Sequence, residues 1–495
     1  MRVHPLLRRV AMLLATLAVV APAARGAEYD PKTVQTPPLR PIADVRPVRK
    51  VLANGLVVYL LENHDLPVVR GVTYARYSPT WIPDAKVGLG AITGEVMRSG
   101  GTATHPGDWL DDHLAAIGAS VSTGLESQDL ASASFRCLSD NTDEVVGLWS
   151  EVMRAPAYPE SKIELSKIGL RRAIAERNDE MFDIIGRVAR MAVYGKGNVW
   201  ARYPEYATVE AVTRADCREL QRRMFDPSRL VIAVYGDFHA DDMARLLTAK
   251  LGDWKPSGVP LPPNPPVPAD AKPRIVFAPK DDATQSGIII AHTGFRADDP
   301  DYPAMDVYET ALGGGFQSRL VNRIRSQRGL AYATGATTGE DYTRPGLWLA
   351  YSLTRGDSTM VAHDLLREEV KKSVEQPFTD DEVRVARATV ENTFVFRFEQ
   401  PSNVLFRSAY YEVIGYPQDF LRRYQDGLHD VSAAKVGEAA RRKVHPDRLV
   451  TVIVGHEKDF DRPLESAGLP VERVDISIPP PPAAKPAARP KRRAP

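Results

Sequence analysis

Apolar and polar positions along the chain alternate in two registers, and the changes of register lay out its elements. Residues 51–60 (VLANGLVVYL) set two apolar runs on either side of Asn54-Gly55, a dipeptide that suits a tight hairpin turn because both positions accept positive φ. Residues 67–77 read as a further strand and residues 88–97 as a helix. Between 120 and 137 the alternation has the period of two of a hairpin, and between 142 and 154 apolar residues return at helical spacing. Charged, helix-like segments at 214–224 and 432–444 each lead through a turn (Asp226-Pro227-Ser228, His445-Pro446-Asp447) into a β-branched apolar run that ends in Gly236 or Gly455. A proline at the entry to a helix recurs as well, at Pro159-Glu160 and at Pro377-Phe378-Thr379. The same order of elements in both parts argues for duplication. Hairpins followed by helices predict an α+β fold, a sandwich rather than a doubly wound sheet.

The 495 residues exceed what one ordinary core organises. The strongest break is 255–273, KPSGVPLPPNPPVPADAKP, whose eight prolines favour a stiff extended spacer. The expected organisation is a signal peptide at 1–27, a first domain at 28–255, a Pro-rich linker at 256–273, a second domain at 274–476 and a disordered Pro/Ala/basic tail at 477–495. The first segment has a basic start (Arg2, Arg8, Arg9), an apolar stretch at 10–21 too short to span a bilayer comfortably, and small residues up to Ala27. Cleavage after Ala23 or Gly26 would release an exported protein, periplasmic in a Gram-negative cell, with no integral membrane segment; an uncleaved anchor is the alternative.

Composition removes other classes. Hydrophobic and charged contents of 43% and 26% are those of a globular protein, and a formal net charge of +1 offers no basis for nucleic-acid binding. Cys137 and Cys217, the two cysteines, would either form one bridge or lie buried as free thiols, and neither has a metal-ligand neighbour at suitable spacing. The run Gly313-Gly314-Gly315 lacks the Gly-Lys-Ser/Thr ending of a phosphate loop, so close backbone packing at the start of a helix is the expected use of its glycines.

The most specific chemistry lies in LGGGFQSRLVNRIRSQRGLAYATGA (312–336), where Arg325 and Tyr332 stand seven positions apart around Gly329. With LANGLVVYLLENHDLPVV (52–69) and YPEYATVEAVTRADCRELQRRMFDPSRLVIAVYGDF (203–238), this segment resembles the pitrilysin/insulinase family of zinc metallopeptidases, the inverzincins, over residues 51–474. The resemblance implies two homologous αβ-sandwich domains of the metallopeptidase clamshell type, with Arg325 and Tyr332 reaching the peptide substrate. Guanidinium and phenol groups there would donate hydrogen bonds to peptide carbonyls and to a tetrahedral oxyanion.

Active members carry His-x-x-Glu-His on a helix, two imidazoles for zinc and a glutamate as general base. Aligned on Gly88-Leu89, this chain has Ala91 and Glu95 at the histidine positions and Gly94 at the base; aligned on Gly101-Thr102, it has Ile92 and Val96 there and Glu95 at the base. Neither register leaves a ligand pair, and Glu176, near the place of the family's third ligand, falls out of register. No two of the ten histidines are three or four residues apart, and His105 and His113 read as loop and helix-surface residues. The resemblance therefore points to a chain with no cofactor or metal of its own, pairing as a heterodimer with a His-x-x-Glu-His-bearing sister that holds the zinc. Two other readings stand beside it: an inactive peptide-binding or structural assembly protein, and an autonomous metallopeptidase whose non-standard zinc site is assembled by folding.

Overall fold

The computed structural model describes residues 45–481, apart from 269, 270, 397 and 399. The expected signal peptide at 1–27, and the expected tail beyond residue 481, lie outside the described residues. In chain order the strands are β1 (Val48–Val51), β2 (Val57–Glu62), β3 (Val68–Arg76), β4 (Ser120–Ser127), β5 (Leu130–Leu138), β6 (Leu230–Gly236), β7 (Arg274–Pro279), β8 (Gln285–Thr293), β9 (Phe295–Arg296), β10 (Ala331–Thr337), β11 (Glu340–Asp341), β12 (Leu347–Arg355), β13 (Val450–Gly455) and β14 (Val471–Arg473). Helices of the first half are α1 (Leu89–Ser99), α2 (Gly107–Ala116), α3 (Thr142–Arg154), α4 (Glu160–Glu176), α5 (Met181–Tyr194), α6 (Tyr206–Glu210), α7 (Arg214–Met224) and α8 (Ala240–Leu251). Those of the second are α9 (Tyr302–Gly313), α10 (Thr359–Glu375), α11 (Asp380–Phe396), α12 (Pro401–Ile414), α13 (Phe420–His429) and α14 (Ala433–Lys443).

Two six-stranded sheets carry the fold, ordered β1-β2-β6-β3-β5-β4 and β10-β12-β8-β13-β7-β14. Read from its other edge, the second sheet matches the first strand for strand, so β2, β3, β4, β5 and β6 correspond to β7, β8, β10, β12 and β13. The exception is the outer edge. β1 precedes β2 in the chain and pairs with it antiparallel, whereas β14 arrives from the far end of its repeat and pairs with β7 parallel. The duplication is thus filled at this edge from opposite ends of the repeat. The β-branched runs predicted before Gly236 and Gly455 become β6 and β13, both interior and buried almost throughout. Their lack of alternation follows from being covered on both faces.

One face of the first sheet packs on its own helices, with Ile92 and Val96 of α1, Trp149 of α3, Met224 of α7 and Leu247 of α8 in one buried cluster. The helices that cover the remaining faces are exchanged. α5, from the first half of the chain, lies on β8 and β13 of the second sheet, and α12, from the second half, lies on β2, β3 and β6 of the first. Ile184, Ile185 and Val188 of α5 share a buried cluster with Val276, Ile289 and Val452. At about 1.5–3 kcal/mol for each fully buried aliphatic side chain, this face alone ties the halves strongly. Across the other contact, Arg49 forks onto Glu412 of α12 (Nε 3.1 Å, Nη2 2.6 Å) and Arg70 donates to Ser402 (3.2 Å).

The chain between the sheets follows the predicted extended path without helix or strand over 255–268. It is held along its length: Arg229 donates to Val259 O (2.6 Å), Trp200 Nε1 to Pro265 O (3.1 Å) and Asn264 Nδ2 to Thr343 O (3.1 Å). Of the two states open to the cysteines, the free one holds. Cys137 and Cys217 are both buried and unbridged, and burial pushes each thiol up to about 11. Among the described residues no helix is long and apolar enough to cross a membrane.

Candidate peptide-binding site

The glycine run does not open a helix, as the sequence suggested; it closes one. α9 ends at Gly313 because the helix runs into the sheet: a Cβ there would lie 2.4 Å from Ala336 N of β10. Residues 314–318 then cross to a second helical stretch that widens into a π turn at Val321–Ser326. π turns are uncommon and concentrate where side chains must be re-aimed. Two arginines of this stretch are spent on anchoring. Arg319 forks onto Glu382 of α11 (2.7 and 2.9 Å), lowering that carboxyl to about 2, and lies 4.1 Å from the Phe378 ring centre. Arg323 reaches Glu368 (3.3 Å) and Glu369 (3.2 Å) of α10.

Arg325 is different. Among the described residues no carboxylate or carbonyl accepts from its guanidinium, which lies over the rings of Phe316 (5.0 Å) and Tyr332 (5.7 Å). Both rings are open to solvent, Phe316 at 73% and Tyr332 at 77% exposure. Gly329, at φ +62°, makes the left-handed turn that brings the strand back beneath the π turn. Tyr332 itself occupies a β-bulge: Ala331 pairs with Thr354 and Ala333 with Leu353, so Tyr332 is the extra residue. A bulge frees one side chain from the sheet's alternation and turns it outward. The sequence spacing thus becomes a cation between two exposed aromatic rings, with the guanidinium and the phenol left free to donate. Phe316, not singled out from the sequence, completes the set. A cavity of about 550 Å³ opens beside it, lined by Gly314, Gln317, Asn322, Asp381 and Thr389.

The positions that the sequence aligns with the zinc motif lie on α1. Ile92 and Val96 are fully buried in the first core, which rules out the register that would put ligands there. The other register places Ala91, Gly94 and Glu95 off that core. Gly94 abuts β4, where a Cβ would come within 3.2 Å of Gly124, and Glu95 accepts from Ser166 Oγ of α4 (2.5 Å). The group facing this part of α1 from α4 is therefore a hydroxyl. Glu176 is turned away and pairs with Arg172 (2.8 Å) at the surface. His105 and His113 are satisfied: they flank Trp109 (ring centres 4.7 and 4.4 Å) and bond to Glu151 (2.7 Å) and Glu144 (2.6 Å). Among the described residues no hydrogen bond, ion pair or ring contact links Arg325 or Tyr332 to α1.

Residues 211–390, which include both α7 and the whole Arg325/Tyr332 segment, match the model of the peptidase M16 inactive domain. Over that segment the chain is similar to the M16 peptidase family. Its relatives are distant. A Streptomyces coelicolor protein described as an uncharacterized zinc protease is 24% identical over 371 residues, 72% of this chain and 79% of its own. The Helicobacter pylori non-peptidase homolog YmxG is 22% identical over 353 residues, 69% and 78% of the two chains. Among solved structures, the M16 inactive domain from Pseudomonas fluorescens superposes with a TM-score of 0.75 at 20% identity, covering 83% of this chain and 98% of its own. The periplasmic protease PqqL from Escherichia coli gives 0.71 at 14% identity, with 92% of this chain spanning 51% of PqqL. These superpositions bear out the expected α+β fold of two homologous αβ units of the M16 clamshell type, and the segment 211–390 is similar to the inactive domain of that family.

Proposed function

We propose that this chain is the non-catalytic, substrate-positioning subunit of an exported zinc peptidase, and that it completes the peptide site of a His-x-x-Glu-His-bearing sister in trans. The observation that carries this reading is the contrast between the two sites. Arg325 and Tyr332 are held outward by a π turn and a bulge with their donors unused. α1, in contrast, presents Ala91, Gly94 and Glu95 where two imidazoles and a general base would be needed. The zinc of the working enzyme then belongs to the sister, and the peptide passes over Arg325, Tyr332 and Phe316. Export follows the N-terminal pattern at residues 1–27, and a periplasmic setting matches that of the periplasmic protease PqqL.

The test is hydrolysis of a quenched-fluorescent peptide mixture by this chain, by a zinc-bearing sister and by both. Turnover in the mixture alone, lost on chelation, is expected. Tyr332→Phe should lower that turnover by about 10²–10³, the cost of one oxyanion donor, while size-exclusion shows the pair intact. Chelator-sensitive hydrolysis by this chain alone would overturn the non-catalytic assignment, and equal turnover with and without this chain would overturn the pairing. The likeness to the Helicobacter pylori non-peptidase homolog YmxG favours a second reading in which the same three side chains bind peptides with no sister involved. Peptide binding by the lone chain that Tyr332→Phe weakens, together with silence in all three hydrolysis arms, would select it.

A further inference from the structure

The corner where β2, β6 and α8 meet carries a cluster that no part of the peptide site uses. β2 ends at Glu62, whose register partner on the parallel strand β6 is Gly236. His64 follows Glu62 by two residues, and His239 follows Gly236 by three, at the entry to α8. The parallel pairing therefore brings two histidines distant in sequence to one place. His64 Nε2 lies 3.4 Å from Glu62 Oε2, and His239 Nδ1 lies 3.8 Å from the same oxygen. All three ligand atoms fall within 4.8 Å of one another. A tetrahedral zinc ion with bonds of about 2.0–2.2 Å sets its ligand atoms about 3.4 Å apart, so small side-chain rotations suffice to meet it.

The supporting contacts orient two of these groups. Asp237 Oδ1 takes His64 Nδ1 at 2.7 Å, which leaves Nε2 as the lone-pair nitrogen facing Glu62. Glu62 Oε1 accepts from Ala240 N at the start of α8 (2.6 Å), which leaves Oε2 for the shared point. The two imidazole rings are 5.6 Å apart and tilted, and all three residues are exposed to solvent. The fold does not require any of this. At the corresponding end of β7 in the second half the chain continues Lys280-Asp281-Asp282, and Lys280 pairs with Asp282 (2.9 Å). We infer that Glu62, His64 and His239 form a surface site for one divalent transition-metal ion of zinc type, with Asp237 as the carboxylate that orients His64.

This inference is independent of the proposed subunit role and of any zinc on a sister chain, because it concerns this chain alone. The experiment is calorimetric titration of the untagged full chain with zinc chloride, with cobalt(II) absorption as a second readout of tetrahedral nitrogen/oxygen ligation. One ion per chain is expected. His64→Ala and His239→Ala should each weaken binding by at least about 10-fold, and Asp237→Asn by about 10–100-fold, whereas His113→Ala should leave it unchanged. The exposed histidines make no core contact, so the metal-free variants should unfold at the wild-type temperature. No saturable binding by the wild-type chain, or binding that survives both histidine substitutions, would overturn the inference.

Discussion

Glu412 offers a direct measure of how firmly the two halves are joined. Its carboxylate on α12 accepts from Arg49 Nε and Nη2 (3.1 and 2.6 Å), from Gln418 Nε2 (2.6 Å) and from the Tyr59 hydroxyl. Tyr59 belongs to β2 and is 1% exposed. The ion pair is neither free nor sealed, with side-chain exposures of 41% for Arg49 and 19% for Glu412. Such a pair is worth more than the ~0–1 kcal/mol of a surface pair and less than the ~3–5 kcal/mol lost on breaking a buried one; we take about 1.5 kcal/mol. Glu412→Ala also takes the acceptor from the buried Tyr59 hydroxyl, at about 1–2 kcal/mol. The sum is about 3 kcal/mol. At about 2.1 cal/mol/K per residue, a chain of this length unfolds with an entropy of about 1 kcal/mol/K, so Tm should fall by about 3 °C. The assay is differential scanning calorimetry of both proteins, with a double-mutant cycle against Tyr59→Phe showing coupling of about 1 kcal/mol. The pH dependence has a definite sign. The Arg49 hydrogen bond holds Glu412 below its ordinary value of 4.5, so its contribution is present above that value and lost as pH falls through the depressed one. The difference between wild type and variant should therefore shrink on acidification. A Tm change under about 1 °C at neutral pH, or two separate unfolding transitions with neither affected, would refute the idea that the exchanged helices make the halves one cooperative unit.

Three further predictions come from other parts of the molecule. Burial pushes Glu309 up to about 7 while it accepts from Thr338 N (2.8 Å); the folded state keeps a proton that the unfolded chain releases near 4.5, so stability falls by about 3 kcal/mol between those pH values, and urea titrations of Glu309→Gln across that range should show the slope removed. Rebuilding the motif as Ala91→His, Gly94→Glu and Glu95→His should produce no zinc binding at α1, because the Gly94 position is pressed against Gly124 and α4 offers Ser166 instead of a carboxylate; chelator-sensitive peptide hydrolysis by that variant would contradict this. Cys137 and Cys217, buried and with thiols pushed up to about 11, should resist alkylation at pH 8 in the native chain and react only as fast as it unfolds, which mass spectrometry of a labelling time course measures.

Much of the architecture could be read from the chain before any coordinates. The hairpin around Asn54-Gly55, the strand pair at 120–138 and the helix at 142–154 rest on local turn chemistry and periodicity, and each forms where that chemistry places it. The spacing of Arg325 and Tyr332 does bring the two side chains together, since a helix end, a positive-φ glycine and a strand start are all local features. What stayed hidden depends on distant partners. Gly313 and Gly315 look alike in sequence, yet only the first meets a strand backbone. The bulge at Tyr332 exists only relative to β12. The two registers possible for the zinc motif differ by one residue, and it took the core contacts of Ile92 and Val96 to separate them. The cluster at Glu62, His64 and His239 was invisible to a search for histidines three or four apart, because a parallel strand pairing, not a helix turn, brings it together. Glu62-Asn63-His64 at the end of a strand, with side chains two apart on one side, was the signal available for half of it.

The exchange of α5 and α12 bears on what kind of machine this chain can be. A peptide chamber that opened and closed between the two sheets would have to pull Ile184, Ile185 and Val188 off the second sheet and break the fork between Arg49 and Glu412 on the first. Several fully buried aliphatic side chains at about 1.5–3 kcal/mol each make that motion far costlier than the few kcal/mol at which proteins populate open states. The halves therefore move together, and in the proposed function the opening that admits a peptide lies between this chain and its sister. The proposed pairing requires no such motion: the donors of Arg325 and Tyr332 face outward from a rigid scaffold, where a second surface would bring the peptide and the metal to them.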